Sequence, residues 1–155
     1  MNVKTQSKVF ISYGHDDEAK TAVAKFVETL GLKPTVLDEQ PSKGRTIIDK
    51  FEEQADEAGF AIVLLTPDDV GSSKTTGERK HRARQNVIFE LGYLLGGLGE
   101  RVCILYKEGV ELPSGIRDVA YVYMDSTGDW KLKLGQEMRN AGLPVDTSWG
   151  LLKKK

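Results

Sequence analysis

Residues 60–66 read FAIVLLT, and this stretch decides the fold. It is nearly all apolar and shows no alternation with polar residues. A strand that meets water on neither face looks like this, and such strands belong to parallel sheets covered by helices on both sides. Working toward the N-terminus, residues 46–58 carry a helical period, with Thr46 and Asp49 spaced as a capping box. Ile47, Ile48 and Phe51 are expected to face inward from it. Residues 34–37 form a short strand. Residues 16–30 form a helix capped by Asp16, with Val23, Phe26, Val27 and Leu30 on one face and Gly31 as its stop. Residues 8–13, KVFISY, are the first strand. Toward the C-terminus, residues 67–81 are polar and rich in turn formers, so they read as a loop. Helices are expected over 84–98 and 130–141, and strands over 101–107 (RVCILYK) and 120–124 (AYVYM).

This alternation predicts an α/β three-layer sandwich: a five-stranded parallel sheet with right-handed crossovers, in the flavodoxin-like order 2-1-3-4-5. One domain is expected over residues 8–144, with short tails at 1–7 and 145–155. In such sheets ligands bind outside the carboxyl ends of the strands, beside the switch in strand order.

Composition excludes several functions. Lys and Arg number 22 against 23 Asp and Glu, so the basic excess of a nucleic-acid or anionic-membrane binder is absent. No apolar run approaches the roughly 20 residues that span a bilayer. The polar start has no apolar signal-peptide core. The single cysteine, Cys103, sits in a strand pattern and reads as a buried structural thiol, which suits a reducing cytoplasm. No metal site is expected: His15 and His81 are the only histidines, and neither HExxH nor CxxC occurs. A GxSxG elbow is also absent.

The chemistry points to three places. In residues 86–98, NVIFELGYLLGGL, Glu90 is the one charged residue of a helix apolar all round. It must be buried with a partner or open into a cavity, because an isolated ionised carboxylate is costly in an apolar site. Asn86 one turn earlier and Arg82 two turns earlier are expected to share its face. Gly92, Gly96 and Gly97 are expected to let the helix pack closely on the sheet. The turn Ser12, Tyr13, Gly14, His15, Asp16 joins the first strand to a helix start, where free N–H groups can hold phosphate; an exposed turn histidine is the plainer reading of His15. The loop at 39–46 sets Arg45 beside the next helix start, suited to an anion, or is an ordinary solvated connection. Lys74, Arg79, Lys80, Arg82 and Arg84 form a cation cluster, read either as a phosphate attractor or as a solvated loop.

The stretches KVFISYGHDD, EQPSKGRTIIDKFEEQAD, GFAIVLLTPDDVG, RARQNVIFELGYLLGGLG, RVCILYKEGVELPSGI and DWKLKLGQEMRNAGL together resemble the bacterial TIR-like nucleotide-binding domains. These are the type fused to cyclic-nucleotide sensors in antiphage defence. The resemblance runs over residues 8–142 and implies a TIR-type flavodoxin-like fold, with residues 39–45 as the BB loop. It implies cleavage of NAD, as substrate rather than cofactor, to nicotinamide and ADP-ribose or a cyclic ADP-ribose. Glu90 would be the catalytic carboxylate, with Asn86 and Arg84 beside it. Tyr13, Gly14, His15 and Asp16 would lie near the nucleotide, and its pyrophosphate is expected near this first turn and Arg45. It also implies self-assembly, and a trigger from a sensor domain or partner that supplies a cyclic-nucleotide signal. One departure is Gly115, which follows Leu112-Pro113-Ser114 where relatives often carry an acid. The rival readings are a non-catalytic TIR assembly module, a nucleotide-binding sensor, and a nucleoside deoxyribosyltransferase-like enzyme, for which Asp16 or Asp17 would be the second acid.

Overall fold

The computed structural model describes residues 7–37, 46–116, 118–146 and 148. In chain order the elements are β1 (Lys8–Ser12), α1 (Asp17–Thr29), β2 (Lys33–Val36), α2 (Ile47–Asp56), β3 (Phe60–Leu65), β4 (Asp69–Ser72), β5 (Arg79–Arg82), α3 (Gln85–Leu98), β6 (Val102–Tyr106), β7 (Ala120–Tyr123) and α4 (Asp129–Asn140). Five strands pair in parallel in the order β2-β1-β3-β6-β7. With the β4–β5 hairpin set aside, this is the expected 2-1-3-4-5 order. β3 lies at the centre, and all six of its residues are buried.

The pleat sends alternate side chains to opposite faces, so the sheet serves two cores. Val9, Ile11, Ile62, Leu64 and Leu105 pack under α1 and α4 through Phe26, Trp130 and Leu134. Phe10, Ala61, Val63 and Ile104 pack under α2 and α3 through Phe51, Val87 and Leu91. Local chemistry sets the helix ends. Asp16 accepts the Ala19 N–H at 2.9 Å, and Thr46 accepts the Asp49 N–H at 3.0 Å. Gly31, at φ +81°, turns the chain out of α1 in a conformation that disfavours other residues.

Four expectations change. Residues 67–81 are not a plain loop. β4 and β5 form an antiparallel hairpin, tied down where the Glu111 N–H donates to the His81 carbonyl at 2.8 Å. The sequence hid it because all four residues of β5, Arg79–Arg82, are exposed, so no apolar alternation marks the strand. Ile47 and Ile48 do not face inward: they are 77% and 55% exposed, and α2 docks through Phe51 and Ala55 instead. Gly92, Gly96 and Gly97 mediate no close packing, since a Cβ on any of them would meet nothing within 4 Å. Val87, Leu91 and Leu94 make that contact. Arg82 shares no helix face with Glu90, because α3 begins only at Gln85. Among the described residues, no helix is long and apolar enough to cross a membrane.

Candidate active site

Two elements meet to make the site. Ser12 ends β1 on the same face as Phe10, so its hydroxyl points to α3. Glu90 lies one helical turn after Asn86 and is 8% exposed. The Ser12 Oγ–H donates to Glu90 Oε1 at 2.6 Å, the short distance of a charge-assisted hydrogen bond. The carboxylate is thus neither lost in the core nor loose in solvent. It forms part of the wall of a cavity of about 580 Å³ at the carboxyl end of β1, within the range of small-molecule sites.

Tyr13, Gly14, Arg84 and Asn86 line the same cavity as Glu90. Gly14 is required there by space. A Cβ would run into the Asp68 carboxylate and come within 3.3 Å of the Arg84 side chain. Asp68 is itself fixed, accepting the His15 N–H at 3.1 Å and the Thr66 hydroxyl at 2.8 Å. Arg84 is half-buried, and its guanidinium makes no hydrogen bond or ion pair among the described residues. Ile47, Ile48 and Phe89 supply an apolar rim, Phe89 being 56% exposed.

His15 and Asp16 belong elsewhere. They line a second cavity on the α1 and α4 side, of about 1030 Å³, together with Lys107, Asp125 and Trp130. Asp16 caps α1 and pairs with Lys107 at 2.8 Å. Partial burial alone would raise its carboxyl, but the hydrogen bonds from Lys107 and Ala19, with the Lys107 charge, hold it below the usual 3.8. Asp125 accepts from Thr127 Oγ1, which with the Asp129 and Trp130 N–H groups outweighs its desolvation and brings its pKa down to about 2. Arg45 lies outside the described residues. Among the cations of the hairpin, Lys80 and Arg82 pair with Glu111 at 3.5 and 2.7 Å.

Sequence reasoning placed Ser12 in the first turn without its contact to Glu90, and missed Asp68 and the exposed isoleucines as candidate site residues. Ser12 was findable as a polar residue at the carboxyl end of a switch-point strand. Asp68 was not, because its role depends on how closely β3's end approaches the Gly14 turn. Cys103 is buried, and burial with the nearby Glu137 charge pushes its thiol up to about 12, so it is no nucleophile. No cluster of three or more His, Cys, Asp or Glu among the described residues could hold a metal.

Residues 8–126 match the family model described as CAP12/Pycsar effector protein, TIR domain. The chain is 46% identical over 140 residues to the uncharacterized protein YuaY of Escherichia coli (strain K12), a match over 90% of this chain and 47% of that protein. It is 34% identical over 136 residues to protein tirC of Dictyostelium discoideum, over 80% of this chain and 66% of the other. The chain therefore spans about half the length of one relative and about two thirds of the other. Among solved structures, the CMP N-glycosidase BcmB of Clostridium botulinum superposes with a TM-score of 0.54 over 83% of this chain and 98% of its own, at 14% identity. That likeness is one of fold.

Proposed function

The chain belongs to the TIR-domain family of the CAP12/Pycsar effector proteins, and from that premise we propose that it cleaves the N-glycosidic bond of NAD, with Glu90 as the catalytic carboxylate. The observation that carries this reading is the Glu90 carboxylate, held by Ser12 in the wall of a cavity at the carboxyl ends of the strands. A scaffold that only assembles has no need of that arrangement.

The chemistry follows from the parts. The bond between ribose C1′ and the nicotinamide nitrogen breaks, and its electron pair leaves with nicotinamide, which departs neutral. C1′ gains oxocarbenium character. A carboxylate in a partly desolvated wall stabilises that charge more than water would. Because nicotinamide is a good leaving group, no general acid is needed to protonate it. Water then attacks C1′ and loses a proton, giving ADP-ribose; attack by the adenine gives a cyclic ADP-ribose. The apolar rim of Ile47, Ile48 and Phe89 suits the nicotinamide ring. We further propose that the domain acts as an effector in antiphage defence, that it works as a self-assembled oligomer, and that a cyclic-nucleotide signal from a sensor domain or partner triggers it.

The test is chromatography of products after incubation with NAD at high protein concentration, for the wild type beside Glu90→Ala. Nicotinamide released by the wild type, and not by a folded mutant, supports the reading. Intact NAD after forced assembly of the wild type would overturn it in favour of an assembly module.

A further inference from the structure

The Glu90 cavity adjoins a second groove across the first turn of α3. This groove, of about 1020 Å³, lies between the β4–β5 hairpin and the start of the helix, and Arg84, Gln85 and Asn86 line both spaces. Arg82 comes down from β5 on its far wall. Its side chain lies across Gly71, where a Cβ would fall 2.5 Å from Nη1, so a larger residue there would push the guanidinium aside. Glu111 holds Nε at 2.7 Å, which fixes one edge of the fork and leaves the other edge without a partner among the described residues. On the near wall stands Arg84, with no ion pair among them at all. Two guanidinium groups thus border one groove, the first oriented by a carboxylate and the second unpaired. Fixed forks of this kind bind phosphate oxygens two at a time.

The backbone agrees. α3 has no acid in its first turn, and the side chain of its N-cap, Arg84, makes no capping bond to the leading N–H groups. Those groups and the helix dipole add to the field that an anion would meet in the groove. Of the groove's acids, Glu111 is charge-paired with Lys80 and Arg82, and Asp68 is held in place by the His15 N–H and the Thr66 hydroxyl, neutral donors that leave its charge standing. Asp69, at the start of the hairpin, is exposed. The rival place for phosphates, the β1–α1 turn, is closed to them. Its helix opens with Asp17 and Glu18 behind the Asp16 cap, and the His15 N–H is taken by Asp68. The start of α4 is likewise filled, its Asp129 and Trp130 N–H groups bonded to Asp125.

We propose that the groove between the β4–β5 hairpin and α3 is the subsite for the pyrophosphate of a dinucleotide substrate, gripped by Arg82 and Arg84. This rests on the NAD-cleaving reading and deepens it. Arg84 stands six residues before Glu90, roughly 9 Å along the helix axis, a span that one ribose and its 5′-phosphate can bridge. A substrate with its ribose at Glu90 therefore runs along the first turns of α3 toward the hairpin, and away from the α1 side.

The experiment compares NAD with nicotinamide riboside, which carries the same scissile bond and no phosphate. For Arg82→Ala, the preference for NAD over the riboside in kcat/KM should fall about 10- to 100-fold, the range for losing a charge-assisted hydrogen bond. Arg82→Lys should fall between, since it keeps the charge and loses the fork. Equal losses on both substrates, or no change in the preference, would overturn the subsite. If the wild type cleaves neither compound, the glycosidase reading fails by itself, and calorimetric titration with ADP-ribose decides the subsite alone. Tenfold weaker binding in folded Arg82→Ala would support it, and unchanged binding would overturn it. Circular dichroism checks that the hairpin variants remain folded.

Discussion

The two sides of the sheet carry cavities at the same carboxyl edge, yet they differ in what their charges are doing. On the α1 and α4 side, Asp16 caps a helix and pairs with Lys107, while Asp125 caps the start of α4. Those groups are engaged in holding the fold. On the α2 and α3 side, Glu90 is fixed by Ser12, Arg84 has no ion pair among the described residues, and large apolar side chains stand open to solvent. The larger of the two cavities, at about 1030 against 580 Å³, is the one whose Asp16 and Asp125 are engaged at helix starts. Size therefore does not mark the side proposed for catalysis. Chemistry held in place without a structural use marks it.

The sharpest way to break this comparison is to exchange the roles of two carboxylates. Glu90→Gln should cut NAD turnover roughly 10²- to 10⁴-fold, the worth of a positioned catalytic group, with little change in melting temperature. Asp16→Ala should cost about 1–2 kcal/mol of stability through the lost cap and ion pair, and leave turnover per folded molecule unchanged. Rate measurements paired with thermal melts check both, and a turnover loss in Asp16→Ala beyond its unfolded fraction would erase the distinction.

A smaller effect is expected from Ser12→Ala. It removes the donor to Glu90 Oε1, and kcat should drop about tenfold, in line with losing a hydrogen bond to a charged group. A full-speed Ser12→Ala enzyme would show that Glu90 is oriented by other partners.

The engaged side should also show itself in acid. Asp16 and Asp125 both titrate below their unfolded value of 3.8, Asp125 at about 2. The unfolded chain thus binds more protons than the folded one across that window, and stability rises with pH there. The contribution is complete above pH 3.8 and is lost as pH falls toward 2. Denaturant melts from pH 5 downward should lose stability in that range, and Asp125→Asn should flatten the slope.

The smallest effect sits on the rim. Ile47→Ser should leave stability within about 0.5 kcal/mol, as for ordinary surface positions, while raising KM for NAD a few-fold. A destabilised Ile47→Ser protein would mean that the residue packs in solution as the sequence suggested.

Most of the architecture was legible. Uninterrupted apolar runs such as FAIVLLT, and helical stripes such as Val23, Phe26, Val27 and Leu30, report burial directly, because one face or both must leave water. The hairpin was not legible, since β5 is written RKHR and pairs along its length with another largely exposed strand. The apolar rim misled for the same reason reversed: Ile47 and Ile48 have core chemistry without a core position. Sequence drew Tyr13, Gly14, His15 and Asp16 together as one turn. The chain reverses within it, so Tyr13 and Gly14 line the Glu90 cavity while His15 and Asp16 line the one on the opposite side.

By itself, the sequence determined the sheet, its strand order and the lone carboxylate of α3, because hydrophobic period and isolated charge are local facts of the chain. Only the tertiary structure decided which groups stand beside that carboxylate. Ser12 and Glu90 are 78 residues apart, and Gly14 and Asp68 meet only where two strand ends converge. Contacts between strand ends depend on register and crossover, which no local pattern encodes.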